Sequence, residues 1–270
     1  MDEVKTDALE KFTLSRHKDR PGIRDYVPLI FSDVFELHGD RAYGDDPAMY
    51  TAIAKIDGTP VTVIGHVKGH SVQANIASNF GMAHPEGYRK AMRQMKLAEK
   101  FGRPIITFVD TPGADCGVGA EERGQGLAIA ENLRDMMGLR VPIISIIIGE
   151  GGSGGALGIA CANKVLMLEN STYSVISPRG FASILWKDAS REKEAAQVLR
   201  MTADDLYELG VIDEVIKEPE GGAHLDYKAA AEELKVNILK NLSYLLEKDK
   251  ETLYNDRYNK YRQIGVYDIV

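Results

Sequence analysis

The sequence predicts an α/β fold built around a buried, mostly parallel sheet. Two runs, Ile105–Val109 and Ile143–Ile148, are rich in β-branched residues and lack regular polar alternation, as is typical of strands covered on both faces. Strand-like runs also alternate with helical segments, and parallel strands need such crossovers. The chain has 270 residues, of which 44% are hydrophobic, so it is long enough for a large core in one or two domains.

The order of elements follows from hydrophobic periodicity and from glycine and proline positions. Pro21–Leu37 places apolar residues on one helical face, which predicts a helix. Met49–Ile56 and Thr59–Val67 flank Asp57-Gly58, which predicts a β-hairpin. The further predicted elements are a polar loop over Lys68–Ala83, a helix over Pro85–Lys100, a strand over Arg103–Val109, a glycine-rich loop over Thr111–Gly119, a helix over Glu121–Met137, a strand over Val141–Ile148, a second glycine-rich loop over Gly149–Gly155, a helix over Ala156–Ala162, strands over Val165–Leu168, Tyr173–Ile176 and Val211–Ile216, and a helix over Tyr227–Leu246.

Composition excludes several classes of protein. The net charge of −7 and the pI of about 5.5 leave no general basic field for nucleic acid. Two separated cysteines, Cys116 and Cys161, form neither a disulfide framework nor a zinc site, which favours a reducing, cytoplasmic setting. Met1–Arg20 has no signal-peptide core, and no apolar run approaches the roughly 20 residues that a membrane span needs.

Two glycine-rich segments, Asp110–Gly119 and Gly149–Gly155, follow the two most apolar predicted strands. Ligands of parallel sheets bind at the carboxyl ends of strands. An isolated glycine most often serves a turn, but five glycines within seven residues before a helix favour a ligand-binding role. The backbone N–H groups of Gly154 and Gly155 are the predicted oxyanion hole. The predicted substrate-binding residues are Gly113, Ala114, Gly117, Gly119, Gly151, Gly152 and Ser153.

Three interpretations of these segments compete. Asp110-Thr-Pro-Gly113 resembles the metal-side motif of GTPases, but no G-x-x-x-x-G-K-[ST] loop accompanies it. Gly151–Gly155 matches the G-x-S-x-G motif of serine hydrolases, in which Ser153, Asp213 and His224 would follow the required order, although no HGGG-type segment precedes them. The third interpretation is an oxyanion site that uses backbone amides and no side-chain nucleophile.

Ten motifs, in order along residues 16–265, help to choose among these three interpretations. They are His38-Gly-Asp-Arg41, Asn79-Phe-Gly-Met82, Pro85-Glu-Gly-Tyr-Arg-Lys90, Lys100-Phe-Gly-Arg-Pro104, Asp110-Thr-Pro-Gly113, Gly119-Ala-Glu-Glu-Arg-Gly-Gln125, Gly149-Glu-Gly-Gly-Ser-Gly-Gly-Ala156, Leu168-Glu-Asn-Ser-Thr-Tyr-Ser174, Ala182-Ser-Ile-Leu-Trp-Lys-Asp188 and Glu220-Gly-Gly-Ala-His224. With them the chain resembles the alpha subunits of acetyl-CoA carboxylase carboxyltransferases. Together they are far more specific than any single glycine run.

The resemblance implies a crotonase (ClpP/crotonase-like) fold, a spiral of ββα units with flanking helices. It implies transfer of a carboxyl group from carboxybiotin to acetyl-CoA, giving malonyl-CoA in the first committed step of fatty-acid synthesis. Biotin would arrive on a biotin carboxyl carrier protein, loaded by biotin carboxylase in an ATP-dependent complex. Gly154 and Gly155 would face the biotin, and a beta subunit would hold the acetyl-CoA enolate in an alpha-2 beta-2 assembly. The family's zinc ribbon belongs to the beta subunit, so no metal is expected in this chain.

The resemblance also sets the expected domains and marks departures. We divide the chain into a polar lead-in over 1–20, a crotonase-like core over 21–225, and a helical segment over 226–270 that packs on the core or on a partner subunit. Asp115 and Cys116 replace an aromatic residue and a proline, Arg179 replaces a glutamate, and His70 replaces a residue that is usually basic. These departures motivate one more hypothesis, a non-catalytic scaffold paralogue.

Overall fold

A computed structural model describes residues 7–265, in which a mixed sheet is flanked by helices on both faces. The strands are β1 (Ser32–Glu36), β2 (Met49–Ile56), β3 (Thr59–His66), β4 (Ile105–Thr111), β5 (Ile143–Gly152), β6 (Lys164–Leu168), β7 (Thr172–Ser174) and β8 (Glu214–Ile216). The helices are α1 (Ala8–Ser15), α2 (Ile23–Ile30), α3 (Val72–Ala77), α4 (Pro85–Lys100), α5 (Val118–Glu122), α6 (Gln125–Gly138), α7 (Ser153–Ala160), α8 (Pro178–Leu185), α9 (Glu192–Val198), α10 (Ala203–Glu208), α11 (Tyr227–Leu246) and α12 (Lys250–Gln263). The first residues of the predicted lead-in and the last of the predicted C-terminal segment lie outside the described residues.

Strand order brings the ends of β4 and β5 together. The order is β1-β2-β3-β4-β5-β6-β8, antiparallel from β1 to β3 and parallel from β3 to β8. β5 is long enough for two partners on one side: its middle pairs with β6, and its end over Glu150–Gly152 pairs with β7. Because β4 and β5 are parallel neighbours, the two glycine-rich segments that follow them leave the same edge of the sheet.

Both faces of the central strands are buried, which explains their apolar sequences. Along β5, Ile144 and Ile146 join a core layer with α2 and α11, whereas Ile143 and Ile147 join the opposite layer with α4, α6 and α7. α11 contributes to the first layer a row of side chains at helical spacing, namely Leu234, Ile238, Leu242 and Leu245. Within residues 7–265, no helix has the length and apolar character to cross a membrane.

Several sequence predictions are confirmed. β2 and β3 form the hairpin around Asp57-Gly58, both of which have positive φ. The helices over Pro85–Lys100 and Tyr227–Leu246 have the predicted bounds. The local sequence patterns of these elements are strong, so the elements can be predicted without knowledge of distant contacts.

The prediction of one helix over Pro21–Leu37 is wrong in its second half. The helix ends at Ile30, and Ser32–Glu36 form β1, which pairs with β2 at the edge of the sheet. The outer edge of β2 offers unpaired backbone groups, and pairing with them outweighs the helical spacing of the apolar residues.

The predicted loop over Gly149–Gly155 is also wrong. β5 continues to Gly152 because its end pairs with β7, and α7 begins at the next residue, Ser153. Ser153 makes the turn with a φ of +49°. Two predictions need smaller corrections. The segment Lys68–Ala83, predicted as a polar loop, contains α3. The single helix predicted over Glu121–Met137 is divided by Gly124 into α5 and α6.

Candidate active site

The first turn of α7 has no side-chain cap. Its N-cap residue is Gly152, which has no side chain to accept a hydrogen bond. An α-helix leaves its first N–H groups without acceptors from its own ladder. The amides of Gly154 and Gly155 lie in this turn, where they carry partial positive charge. The start of α7 therefore has the donors that an oxyanion needs.

Close backbone contact joins this turn to the segment after β4. A Cβ atom on Gly152 would lie 2.1 Å from the carbonyl oxygen of Pro112, and one on Gly155 would lie 2.4 Å from the amide nitrogen of Ala114. No side chain fits at either place, so both positions require glycine. A Cβ atom on Gly154 would meet only Ile129, at 3.7 Å.

The structure brings together some of the predicted site residues and not others. Gly113 and Ala114 contact Gly152 and Gly155 across the strand ends. Gly117 caps α5 and Gly119 lies within it. The nearest neighbours of their Cβ positions, Asp115 and Arg123, belong to the same segment of chain. The substrate-binding role of Gly117 and Gly119 stays a prediction.

Two cavities flank the β5–α7 junction. One of about 300 Å³ opens beside Ser153 and Gly154 and has mostly apolar walls, formed by Leu157, Val165, Tyr173, Val175, Leu206, Val211, Tyr261 and Ile264 with Ser174. The other, of about 340 Å³, opens beside Gly151 and Gly152 and has a more polar lining, formed by Phe12, Arg16, Pro112, Glu150, Thr172, Ser174, Val175, Ile176 and Ser177. The junction thus separates an apolar space from a polar one.

A charged cluster ties the strand ends together beneath the junction. The Lys68 ammonium lies 2.8 Å from Asp110 Oδ1 and 2.7 Å from Glu150 Oε1. The Glu150 N–H also donates to Asp110 Oδ1, at 3.1 Å, and Arg16 approaches the other oxygen of Glu150 at 3.3 Å. Burial alone would lower the pKa of Lys68, but the two carboxylates outweigh it and the pKa is raised. The sequence interpretation missed this cluster, although one charged residue follows or ends each of β3, β4 and β5.

Asp115, one of the departures from the family pattern, lies beside a histidine. Its N–H donates to the carbonyl of Ala83, at 3.1 Å, and its carboxylate lies 3.6 Å from Nε2 of His84. The hydrogen bond between His84 and Asp46 raises the pKa of His84 and outweighs the opposing effect of burial. The charge of Asp115 raises this pKa further. The new carboxylate therefore lies next to a histidine that favours its protonated form.

The other departures lie near the same edge. His70 Nε2 lies 2.8 Å from Asp25 of α2, while His70 Nδ1 lies 3.1 Å from the carbonyl of Lys18. These two partners raise the pKa of His70 against the effect of its burial. Arg179 is exposed in the first turn of α8, just after Ser177 of the polar cavity, and Cys116 is exposed with a free thiol.

The residues of a hydrolase triad are not assembled. Ser153 is exposed, and no hydrogen bond joins it to Asp213 or His224 within residues 7–265. Asp213 accepts from the Val165 N–H at 2.7 Å and pairs with Lys260. The His224 ring stacks on His17 with centroids 4.1 Å apart. In the same part of the chain, no group of three or more His, Cys, Asp or Glu side chains is placed to share a metal ion.

Comparison with known proteins agrees with the motifs. Residues 4–265 match the family described as acetyl co-enzyme A carboxylase carboxyltransferase-like. The chain belongs to this family of enzyme subunits. It is 58% identical over 258 residues to the acetyl-coenzyme A carboxylase carboxyl transferase subunit alpha of Clostridium perfringens, covering 96% of this chain and 95% of that one. It is 56% identical over 263 residues to the subunit of that name from Listeria welshimeri, covering 97% and 83%.

The fold also matches solved carboxyltransferase structures. Transcarboxylase 12S, solved with methylmalonyl-coenzyme A and methylmalonic acid bound, superposes with a TM-score of 0.71 at 20% sequence identity. The match covers 92% of this chain but 46% of the other, so the chain spans just under half of that protein. The prediction of a crotonase-like α/β fold is confirmed.

Proposed function

We propose that this chain forms the biotin-facing half of a carboxyltransferase site, in which a carboxyl group passes from carboxybiotin to acetyl-CoA and gives malonyl-CoA. The observation that carries the proposal is the uncapped first turn of α7, held against the Pro112–Ala114 backbone beside an open cavity. Family membership supports the reaction class, and the geometry supports catalysis by backbone amides.

The proposed chemistry uses Gly154 and Gly155 as donors. As the N–C bond of carboxybiotin breaks, negative charge develops on the ureido group of biotin. The ureido nitrogen then takes the proton that the methyl group of acetyl-CoA loses, and the resulting enolate carbon forms its new bond to the carboxyl carbon. The two N–H groups would stabilise the charge on the ureido carbonyl oxygen, and one such donor is worth about 3 kcal/mol in other enzymes. The apolar walls beside Gly154 suit the sulfur-containing ring and the aliphatic arm of biotin, which would be delivered by its carrier protein. Ser153 and the glycines Gly113, Gly117, Gly119, Gly151 and Gly152, with Ala114, would shape the substrate path.

The other half of the site would come from a beta subunit. In this proposal the beta subunit holds the acetyl-CoA enolate in an alpha-2 beta-2 complex, which receives biotin from the carrier protein and biotin carboxylase. Val175 of the polar cavity is 75% exposed, and Ile184 and Leu185 at the end of α8, the helix that follows this cavity in the chain, are 59% and 61% exposed. Apolar groups exposed together mark interaction surfaces, which supports a partner on this side.

Reconstitution with a carboxyltransferase beta subunit tests the proposal. The isolated chain should form no malonyl-CoA from carboxybiotin and acetyl-CoA, and the complex should form it. Malonyl-CoA production by the purified chain alone would exclude a shared site. A stable complex without turnover on any acyl-CoA would favour the scaffold paralogue. Labelling of Ser153 by a fluorophosphonate, with loss of the label in Ser153→Ala, would favour the hydrolase instead.

A further inference from the structure

One buried tyrosine lies directly behind the proposed oxyanion turn. Tyr88 of α4 is fully buried, and its hydroxyl donates to the carbonyl oxygen of Gly155 at 3.1 Å. The Gly155 carbonyl also belongs to the backbone hydrogen-bond ladder of α7, in which the N–H of the residue four positions later is its regular donor. Tyr88 is thus a side chain from another helix that holds α7 by its first turn.

The ring of Tyr88 fixes the same helix by contact. A Cβ atom on Gly158 would lie 2.7 Å from the Tyr88 ring, so α7 rests on the ring only because Gly158 has no side chain. Asn132 of α6 donates to the carbonyls of both Tyr88 and Gly158, each at 3.0 Å. Three helices are therefore joined at this one ring.

The segment after β4 also holds this turn. Gly155 lies against the backbone of Gly113 and Ala114, as its lack of a Cβ atom allows. The first turn of α7 consequently has two fixed neighbours at Gly155, the Tyr88 hydroxyl at its carbonyl and the peptide backbone of Gly113 and Ala114. A shift at the hydroxyl would change where the amides of Gly154 and Gly155 point.

We infer that Tyr88 is a positioning residue for the oxyanion hole, acting through the Gly155 carbonyl. The inference rests on the proposed function, because it assigns Tyr88 a part in that reaction. Tyr88 makes no contact with substrate in this scheme, and its effect comes through the orientation of α7. A displacement of 1 Å in a catalytic site can cost about 100-fold in rate, and we expect a smaller effect from the loss of one hydrogen bond.

The test compares Tyr88→Phe with Tyr26→Phe in the reconstituted complex. Tyr26 is equally buried, and its hydroxyl has no hydrogen-bond partner within residues 7–265, so it is a matched control. Tyr88→Phe should lower kcat roughly 10-fold with KM for acetyl-CoA changed less than about twofold. Tyr26→Phe should leave both constants unchanged. Equal kcat in the two variants, or an effect confined to KM, would overturn the inference.

Hydrogen exchange separates this inference from the reaction itself. Amide exchange over residues 153–160, measured by mass spectrometry on the full chain alone and in the complex, should be faster in Tyr88→Phe and unchanged in Tyr26→Phe. A wild-type complex without carboxyl transfer would reject the proposed function, while the exchange result would still decide whether Tyr88 holds α7. Unchanged exchange in Tyr88→Phe would reject the positioning role even if the complex is active.

Discussion

The first turns of α7 and α10 differ in how their backbone N–H groups find acceptors. At α10, the Thr202 hydroxyl accepts from the Asp205 N–H and the Asp205 carboxylate accepts from the Thr202 N–H, a reciprocal capping box. At α7, the corresponding position is Gly152, and no side chain accepts from the turn. The first turn of α10 thus has side-chain acceptors within the chain, whereas the first turn of α7 has no side-chain cap.

The two turns also differ in their surroundings. α7 lies between two cavities and against a second backbone segment, at the carboxyl ends of the central strands. α10 follows Met201, whose carbonyl accepts from the Tyr173 N–H and so joins the turn to β7. An uncapped helix start costs stability, and the proposed function predicts that ligand binding at the sheet edge offsets this cost.

The largest effect is expected from a methyl group at the uncapped turn. Gly155→Ala places a Cβ atom within 2.4 Å of the Ala114 nitrogen, so the two segments must separate. We expect carboxyl transfer by the complex to fall about 100-fold or more, and the free energy of unfolding to fall by about 1–3 kcal/mol. Rates in the reconstituted complex and urea unfolding of the chain measure the two effects.

Gly154→Ala is the matched comparison for this variant. Its Cβ atom meets Ile129 at an ordinary 3.7 Å, and alanine favours a helix over glycine by up to about 1 kcal/mol. Its unfolding free energy should therefore equal or exceed that of the natural chain. If Gly154→Ala were less stable than Gly155→Ala, the close contact with Ala114 would not explain why residue 155 is glycine.

An intermediate effect is expected from removing the cap of α10. Thr202→Ala deletes the hydroxyl that accepts from Asp205, which should lower the free energy of unfolding by about 1 kcal/mol. The rate of the reconstituted complex should be unchanged, because this turn offers no donors to a ligand. A fall in kcat comparable to that of Gly155→Ala would show that the contrast between the two turns is not functional.

The smallest expected effect is on the pH dependence of stability. It comes from His84, the residue that precedes α4. The pKa of His84 is raised, first by its hydrogen bond to Asp46, with further contributions from the charges of Asp115 and Glu86. A raised folded-state pKa means that the stabilisation is complete below the unfolded value of about 6.5 and is lost as pH rises through the folded value. The Tm difference between the natural chain and His84→Gln should thus be larger at pH 5.5 than at pH 8.5.

Asp115→Asn is the control for the pH dependence. Removing this carboxylate leaves Asp46 in place but takes away one of the charges that favour protonated His84. The Tm difference caused by His84→Gln at pH 5.5 should be smaller in the Asp115→Asn background. A Tm difference that is the same at both pH values would mean that His84 does not titrate differently in the folded chain.

Local sequence patterns predicted the elements whose contacts are near in the chain. The hairpin around Asp57-Gly58 and the helix over Tyr227–Leu246 followed from turn chemistry and from apolar spacing. β1 did not, because Ala52, the first residue that pairs with it, lies 16 positions beyond its end at Glu36. A helical spacing of apolar residues is a weak guide where an unpaired strand edge is close in space.

The candidate site also has some features that the sequence predicted and others that only the structure showed. The sequence pointed to Gly154 and Gly155 because a glycine run between a strand and a helix is visible without a structure. It could not show Lys68 between Asp110 and Glu150, nor Tyr88 behind Gly155, since each contact joins residues tens of positions apart. Nor could it show that Gly152 is the last residue of β5 rather than part of a loop.

By itself, then, the amino-acid sequence determined the α/β class and the family and predicted the candidate site segments, because these depend on periodicity and on ordered motifs. Tertiary structure alone decided which glycines are required by close contact, which charged groups join the strand ends, and which side chain holds α7 in place. The physical reason is that hydrophobic periodicity acts over one or two turns of chain. Backbone contacts, buried charges and hydrogen bonds between elements arise only when distant strands are neighbours.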